Sequence, residues 1–311
     1  MSKTKILTEG AVILALYIVL LLITMYVPLL GSITMFMLPI PFVVFAARRE
    51  LKSSIFLLIA ALILTILFGS VFTLPTTLLF GSTGVVIGFL YKLNKPRFEV
   101  LSFGSITVIV NLLILYAIMT TFMDISPIEE GKRAMQESMD MMESMMVGMG
   151  QTMTAEQWKQ ISHMMELGIL LIPAVIIFVG IFFAFVTQLI AAPILKRLGL
   201  QIDKWPPFRD LQLPKSLLWY YLIAMVLMLV PLDQDSIWFL AIFNLFNILQ
   251  VFMVLQGFSF LYYFGYQKNI SKGIVTVVVI LSLLLPFLLY LVRIIGIIDL
   301  GFNLRKRVEK K

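Results

Sequence analysis

Apolar residues in this sequence gather in long unbroken runs, and charged residues fall almost only in the gaps between them. The runs cover 6–27, 33–47, 54–71, 74–91, 100–122, 167–195, 216–230, 237–263 and 274–298. None alternates with a period of two, so they predict helices rather than barrel strands. A membrane crossing takes about 17–25 residues. Two runs are short, 33–47 with Pro39 and Pro41, and 216–230, and these are candidates for tilted, broken or interfacial segments. The pattern predicts an all-α polytopic integral membrane protein of about nine transmembrane helices, within a range of eight to ten.

Composition points the same way. Hydrophobic residues make up 60% of the 311 residues and charged residues 13%, and mean hydropathy is +1.01. A soluble domain is nearer half apolar and about one-quarter charged. With so little polar surface the chain needs lipid as its solvent, and its backbone groups must then pair internally.

Charge gives direction to the spans. Lys3 and Lys5 precede the first run, Arg48, Arg49 and Lys52 follow the second, and Lys92, Lys95 and Arg97 follow the fourth. Lys196, Arg197, Lys204, Arg209 and Lys215 follow the sixth, and Lys268 and Lys272 the eighth. The connections after runs one, three and seven hold no Lys or Arg. The positive-inside rule therefore predicts a cytoplasmic N-terminus. The net charge of +7 orients the chain and is no sign of nucleic-acid binding. Nine crossings would leave Arg305, Lys306, Arg307, Lys310 and Lys311 outside. Either the tail violates the rule, or one segment does not cross, and Pro286 allows a re-entrant last segment. The run 6–27 is too long for the apolar part of a cleaved signal peptide, and no small-residue cleavage pattern follows it.

The connection 123–166 is expected outside, as two amphipathic helices. Ser126-Pro127-Ile128-Glu129 has capping-box form with Pro at the first helical position. Gly148 and Gly150 break the helix, and Thr154 can start a second. Met135, Met139, Met142, Met146, Met149 and Met153 recur in steps of four and three, which places them on one helical face. Thioethers can bind Cu(I). More often such a stripe is an adaptable apolar face, lying on the membrane, capping the bundle or acting as a mobile lid.

Three parts follow: a six-span module over 1–195 containing the Met-rich loop, a cytoplasmic connection at 196–215, and a C-terminal three-span module with a basic tail at 216–311. Little points to catalysis. There is no cysteine and one histidine, His163, which excludes disulfides, thiolate sites and multi-His metal motifs. Gly81-Ser82-Thr83-Gly84 lacks the Lys and Ser/Thr ending of an ATP-binding P-loop. No enzyme activity, cofactor or metal is expected. Polar residues inside spans are costly, which singles out Asn111, Gln188, Asn244, Asn247, Gln250 and Gln256. Asn111, Asn244, Asn247 and Gln250 are the candidates for a polar lining, and interhelical hydrogen bonding is the plainer account. Ala11 and Ala15 form a small-xxx-small pair on the first span, suited to close approach of another helix or to ordinary internal packing.

Residues 1–195 resemble the substrate-binding S component of energy-coupling-factor vitamin transporters. The likeness rests on six spans, on the stretch Glu9-Gly10-Ala11-Val12-Ile13-Leu14-Ala15-Leu16-Tyr17, on Pro39-Ile40-Pro41 and on Gly81, Gly84 and Gly88. It implies that Ala11 and Ala15 dock on a coupling subunit, that an ABC-type ATPase pair supplies energy, and that spans one to six capture a small molecule. Over its full length the chain resembles the uncharacterised YybS-type membrane proteins of Firmicutes, through Gly296-Ile297-Ile298-Asp299-Leu300-Gly301-Phe302-Asn303-Leu304-Arg305 and Leu255-Gln256-Gly257. The rival reading is an envelope scaffold that binds other proteins through the Met-rich loop and the C-terminal module, with no small ligand.

Overall fold

The computed structural model describes residues 3–122, 124–150, 154–234 and 236–309. All longer elements are helices: α1 (Lys3–Tyr26), α2 (Pro28–Thr34), α3 (Ile40–Arg48), α4 (Leu51–Phe68), α5 (Leu74–Lys92), α6 (Arg97–Phe122), α7 (Pro127–Gly148), α8 (Ala155–Leu170), α9 (Ile172–Arg197), α10 (Lys215–Leu227), α11 (Ile237–Gln267), α12 (Lys272–Leu284), α13 (Pro286–Phe302) and α14 (Leu304–Glu309).

Among the described residues seven helical stretches are long and apolar enough to cross a membrane: Thr4–Tyr26, Pro28–Arg48, Leu51–Phe68, Val71–Lys92, Arg97–Thr121, Ile172–Arg197 and Ile237–Gln267. The two remaining runs behave differently. The apolar helix α10 has 13 residues, about 20 Å of helix, less than the roughly 30 Å hydrocarbon core. The last run splits into α12 and α13, bent by 115°. Pro286 causes the break. It has no N–H to donate into the preceding turn, and it pushes Leu285 into an extended conformation (φ −111°, ψ 107°). The run 33–47 is also reshaped, since Pro28 starts the helix early and a 3-10 turn at Met35–Met37 leads into α3.

The chain forms two compact units. One contains Met1–Ile169 with Val175–Lys204, and the other Leu170–Ala174 with Trp205–Lys311. In the first unit α3 packs along α5 on a glycine face. A Cβ on Gly84 would run into the Pro39 carbonyl, and one on Gly88 into that of Val43. The backbones therefore lie close, as small residues permit in lipid. Phe42, fully buried, meets Tyr17 edge-on with ring centroids 4.8 Å apart. A second apolar cluster joins Val43, Ile87, Tyr91, Val100, Ala191 and Leu195.

In the second unit Leu218, Tyr221, Ala224, Leu249, Met253 and Leu300 form the core. Here α11 and α13 cross on glycines: a Cβ on Gly257 would strike the Val292 carbonyl, and one on Gly296 the Met253 carbonyl. The start of α12 lies against the C-terminal part of α11, with Tyr262 Oη 2.9 Å from Thr276 Oγ1. The chain leaving α13 returns to the same part of α11, where the Arg305 guanidinium lies over the Tyr263 ring.

Candidate functional site

Ala11 and Ala15 are both exposed on α1. They share the outward face with Val12, Leu16 and Val19, whereas Gly10, Tyr17 and Leu21 are buried. Glu9 fixes the start of this helix, pairing with Arg48 at 2.9 Å and with Arg49. Lys92 Nζ donates to the Arg49 carbonyl at 2.7 Å, so the same ends of α1, α3 and α5 are tied by charge. The spacing of Glu9 from Arg48 and Arg49, which brackets two helices, hides this pair from a linear reading.

The four candidate lining residues fall in both units. Asn111, in the first unit, donates to Ser82 Oγ at 2.9 Å and to the Thr107 carbonyl at 2.7 Å. The other three lie in the second unit. Asn244 is buried. Its Oδ1 accepts from the Ala174 N–H at 2.9 Å, and its Nδ2 donates to the Leu170 carbonyl at 2.7 Å. Asn247 donates to the Phe243 carbonyl of its own helix, and Gln250 is half-buried. In the first unit Tyr91 Oη donates to Gln188 Oε1 at 2.9 Å. Tyr17 Oη donates to Thr77 Oγ1 at 2.7 Å, and Thr77 meets Thr65 at 2.8 Å.

The densest polar cluster lies in the second unit and centres on Asp299, which is fully buried. Asn303 holds a left-handed conformation (φ 49°) at the end of α13, which Asn tolerates well, and the chain doubles back. Arg305 Nε then donates to Asp299 Oδ2 at 3.1 Å. Gln256 Nε2 donates to the same oxygen at 2.6 Å. Asp299 Oδ1 has no hydrogen-bond partner among the described residues. Arg305 also donates to the carbonyls of Arg209 (2.8 Å) and Leu211 (2.9 Å) and to Ser259 Oγ (3.0 Å). The single Ser259 hydroxyl proton is shared between the Leu211 carbonyl at 2.7 Å and the Phe208 carbonyl at 2.9 Å, and Gln256 Oε1 accepts from the Leu213 N–H. One ion pair and two polar side chains thus satisfy an irregular stretch of backbone that no helix ladder serves. A carboxylate inside the apolar stretch before Phe302, six residues from an arginine, is the signal in the sequence that points to this cluster.

Next to it is a cavity of about 450 Å³. Arg209, Tyr262, Tyr266, Ile270, Lys272 and Val275 are among its walls. The Arg209 guanidinium lies 3.7 Å from the Tyr266 ring centroid. No group of three or more His, Cys, Asp or Glu that could hold a metal exists among the described residues. In α7 no residue is buried, and Met141, Met145 and Met149 are well exposed. Met153 of the methionine series lies outside the described residues.

Apolar helices of this number and length, joined by polar clusters that satisfy their breaks, define a multi-pass α-helical membrane protein. The chain belongs to the family of predicted membrane proteins DUF2232, whose pattern matches residues 15–300. It is similar to the uncharacterized protein YybS of Bacillus subtilis (strain 168), with 30% identity over 312 residues that cover 99% of this chain and 100% of that protein. No solved structure matches.

Proposed function

We propose that the protein is a transport-type binding subunit of the bacterial plasma membrane, with its N-terminus in the cytoplasm, similar in role to energy-coupling-factor S components. Partner subunits, an ABC-type ATPase pair with a coupling subunit, supply the energy, because the chain has no P-loop of its own. The observation that supports this reading is the exposure of Ala11 and Ala15 on one face of α1. Small side chains there let a partner helix approach closely, while Glu9, Arg48 and Arg49 hold the helix in place from behind. The ligand is a small molecule. The test is a mild-detergent pull-down of the tagged protein from its own cells, with wild type, Ala11→Trp and Ala15→Trp compared. Loss of an ATPase pair from both variants, with unchanged melting temperature, is the expected result. Equal recovery from all three ends the proposal for this face.

One observation favours a second reading, an envelope scaffold. The acidic helix α7 buries none of its residues and leaves Met141, Met145 and Met149 exposed. Methionine faces suit varied apolar partners. Deleting 126–154 should then abolish recovery of envelope proteins without affecting any ATPase. A deletion silent in such pull-downs removes this reading.

A further inference from the structure

We propose that the cavity between the end of α11 and the start of α12 binds a phosphate-bearing group, either an anionic lipid headgroup or a soluble phosphate. Charge is the first argument. Arg209 and Lys272 are the two charged residues in its walls, both are cations, and no carboxylate lines it. Asp210 lies outside the lining, half-exposed, with Oδ1 3.7 Å from Arg209 Nε. That is too long for a hydrogen bond, so the guanidinium keeps its donors. Lys272 forms no ion pair among the described residues.

Preorganisation is the second argument. Arg209 stacks on Tyr266 at 3.7 Å, which supports the plane of the guanidinium and leaves its edge open for the two parallel bonds that phosphate oxygens accept. Its backbone is held as well, since the Phe208 and Arg209 carbonyls accept from Ser259 and Arg305. A cation fixed before binding loses little entropy when the ligand arrives. Ile270 and Val275 give the cavity an apolar side next to its cationic one, and an opening beside spanning helices suits a molecule with a charged head and a greasy remainder.

The site is independent of the transport reading and is tested on the full-length protein. Wild type, Lys272→Glu, Arg209→Gln and the outside control Lys268→Glu are delipidated in a neutral detergent. They are then exposed to phosphatidylcholine nanodiscs with or without phosphatidylglycerol, and separately to inorganic phosphate against chloride at equal ionic strength. Retained lipid is counted by native mass spectrometry, and melting temperature is followed throughout. Lys272→Glu is the decisive variant, because an acidic residue in the first turn of α12 stabilises the helix, so a loss of binding is not a loss of fold. The expected result is preferential retention of phosphatidylglycerol by wild type, lowered about fivefold by each cavity substitution and under twofold by Lys268→Glu. A melting temperature raised by inorganic phosphate in wild type and not in Lys272→Glu, with no lipid preference, assigns the soluble source. The proposal is overturned by equal behaviour of wild type, Lys272→Glu and Arg209→Gln, or by a Lys268→Glu loss as large as that of Lys272→Glu.

Discussion

Asn244 repairs the helix that Pro173 interrupts. Pro173 cannot donate to the carbonyl four residues back, and its ring pushes the preceding turn open. The next rung of a continuous helix would run from the Ala174 N–H to the Leu170 carbonyl. The Asn244 amide stands between those two groups and bonds both. Asn244→Leu should lower stability by about 1–3 kcal/mol, the cost of leaving buried backbone groups unpaired. In a Pro173→Ala background the helix can close its own rung, and the same substitution should cost much less. A double-mutant cycle on melting of the detergent-solubilised protein measures this, and equal costs in both backgrounds would refute the repair.

Arg305 neutralises a carboxylate that has no access to water. Arg305→Leu should be severe, about 3–5 kcal/mol, because it strands the Asp299 charge. Asp299→Asn combined with Arg305→Leu should recover part of the loss. Fluorescence of a C-terminal fusion reports the amount of folded protein in each case. A double variant no better than Arg305→Leu would show that the backbone bonds of Arg305, and not the ion pair, dominate.

The tail should share a membrane face with the start of α12. Both ends of the bent α12–α13 pair meet the C-terminal part of α11, which fits a segment that enters and returns. Because the chain has no cysteine, single replacements at Lys268, Lys306 and Gln234 can be read with an impermeant maleimide. Lys268→Cys and Lys306→Cys should label together and Gln234→Cys from the opposite side. Labelling of position 306 together with position 234 would exclude the return.

Glycine seams and free glycines should respond in opposite ways. Gly84→Leu has no room beside Pro39 and Phe42 and should cost about 1–3 kcal/mol or more. Gly131→Ala in α7 meets nothing within 4 Å and should be neutral or slightly stabilising. Size-exclusion profiles of fluorescent fusions separate the two results.

The long spans are legible in the sequence because a run of twenty apolar residues has few other ways to exist. The bend at Pro286 was half-visible, as a proline in an apolar run next to a tail whose charge fitted no simple count. The polar residues were harder to read. Asn244, Asn247 and Gln250 share a helix, and spacing alone makes them one stripe. Their partners differ because the irregular backbone at Leu170–Ala174 lies over only one of them. The cluster at Asp299 and Arg305 takes in Gln256, Ser259 and the backbone from Phe208 to Leu213 through bonds between groups 43 to 96 positions apart, and no local period encodes such a meeting.

That meeting has a consequence for how the protein is made. The backbone of Phe208 to Leu213 and the side chains of Gln256 and Ser259 leave the ribosome long before Arg305 does. Until Arg305 follows, Asp299 has no cation and the connection ahead of α10 lacks two of its donors. The second unit therefore closes only with the last few residues of the chain, when Arg305 brings a cation to Asp299 and donors to the Arg209 and Leu211 carbonyls.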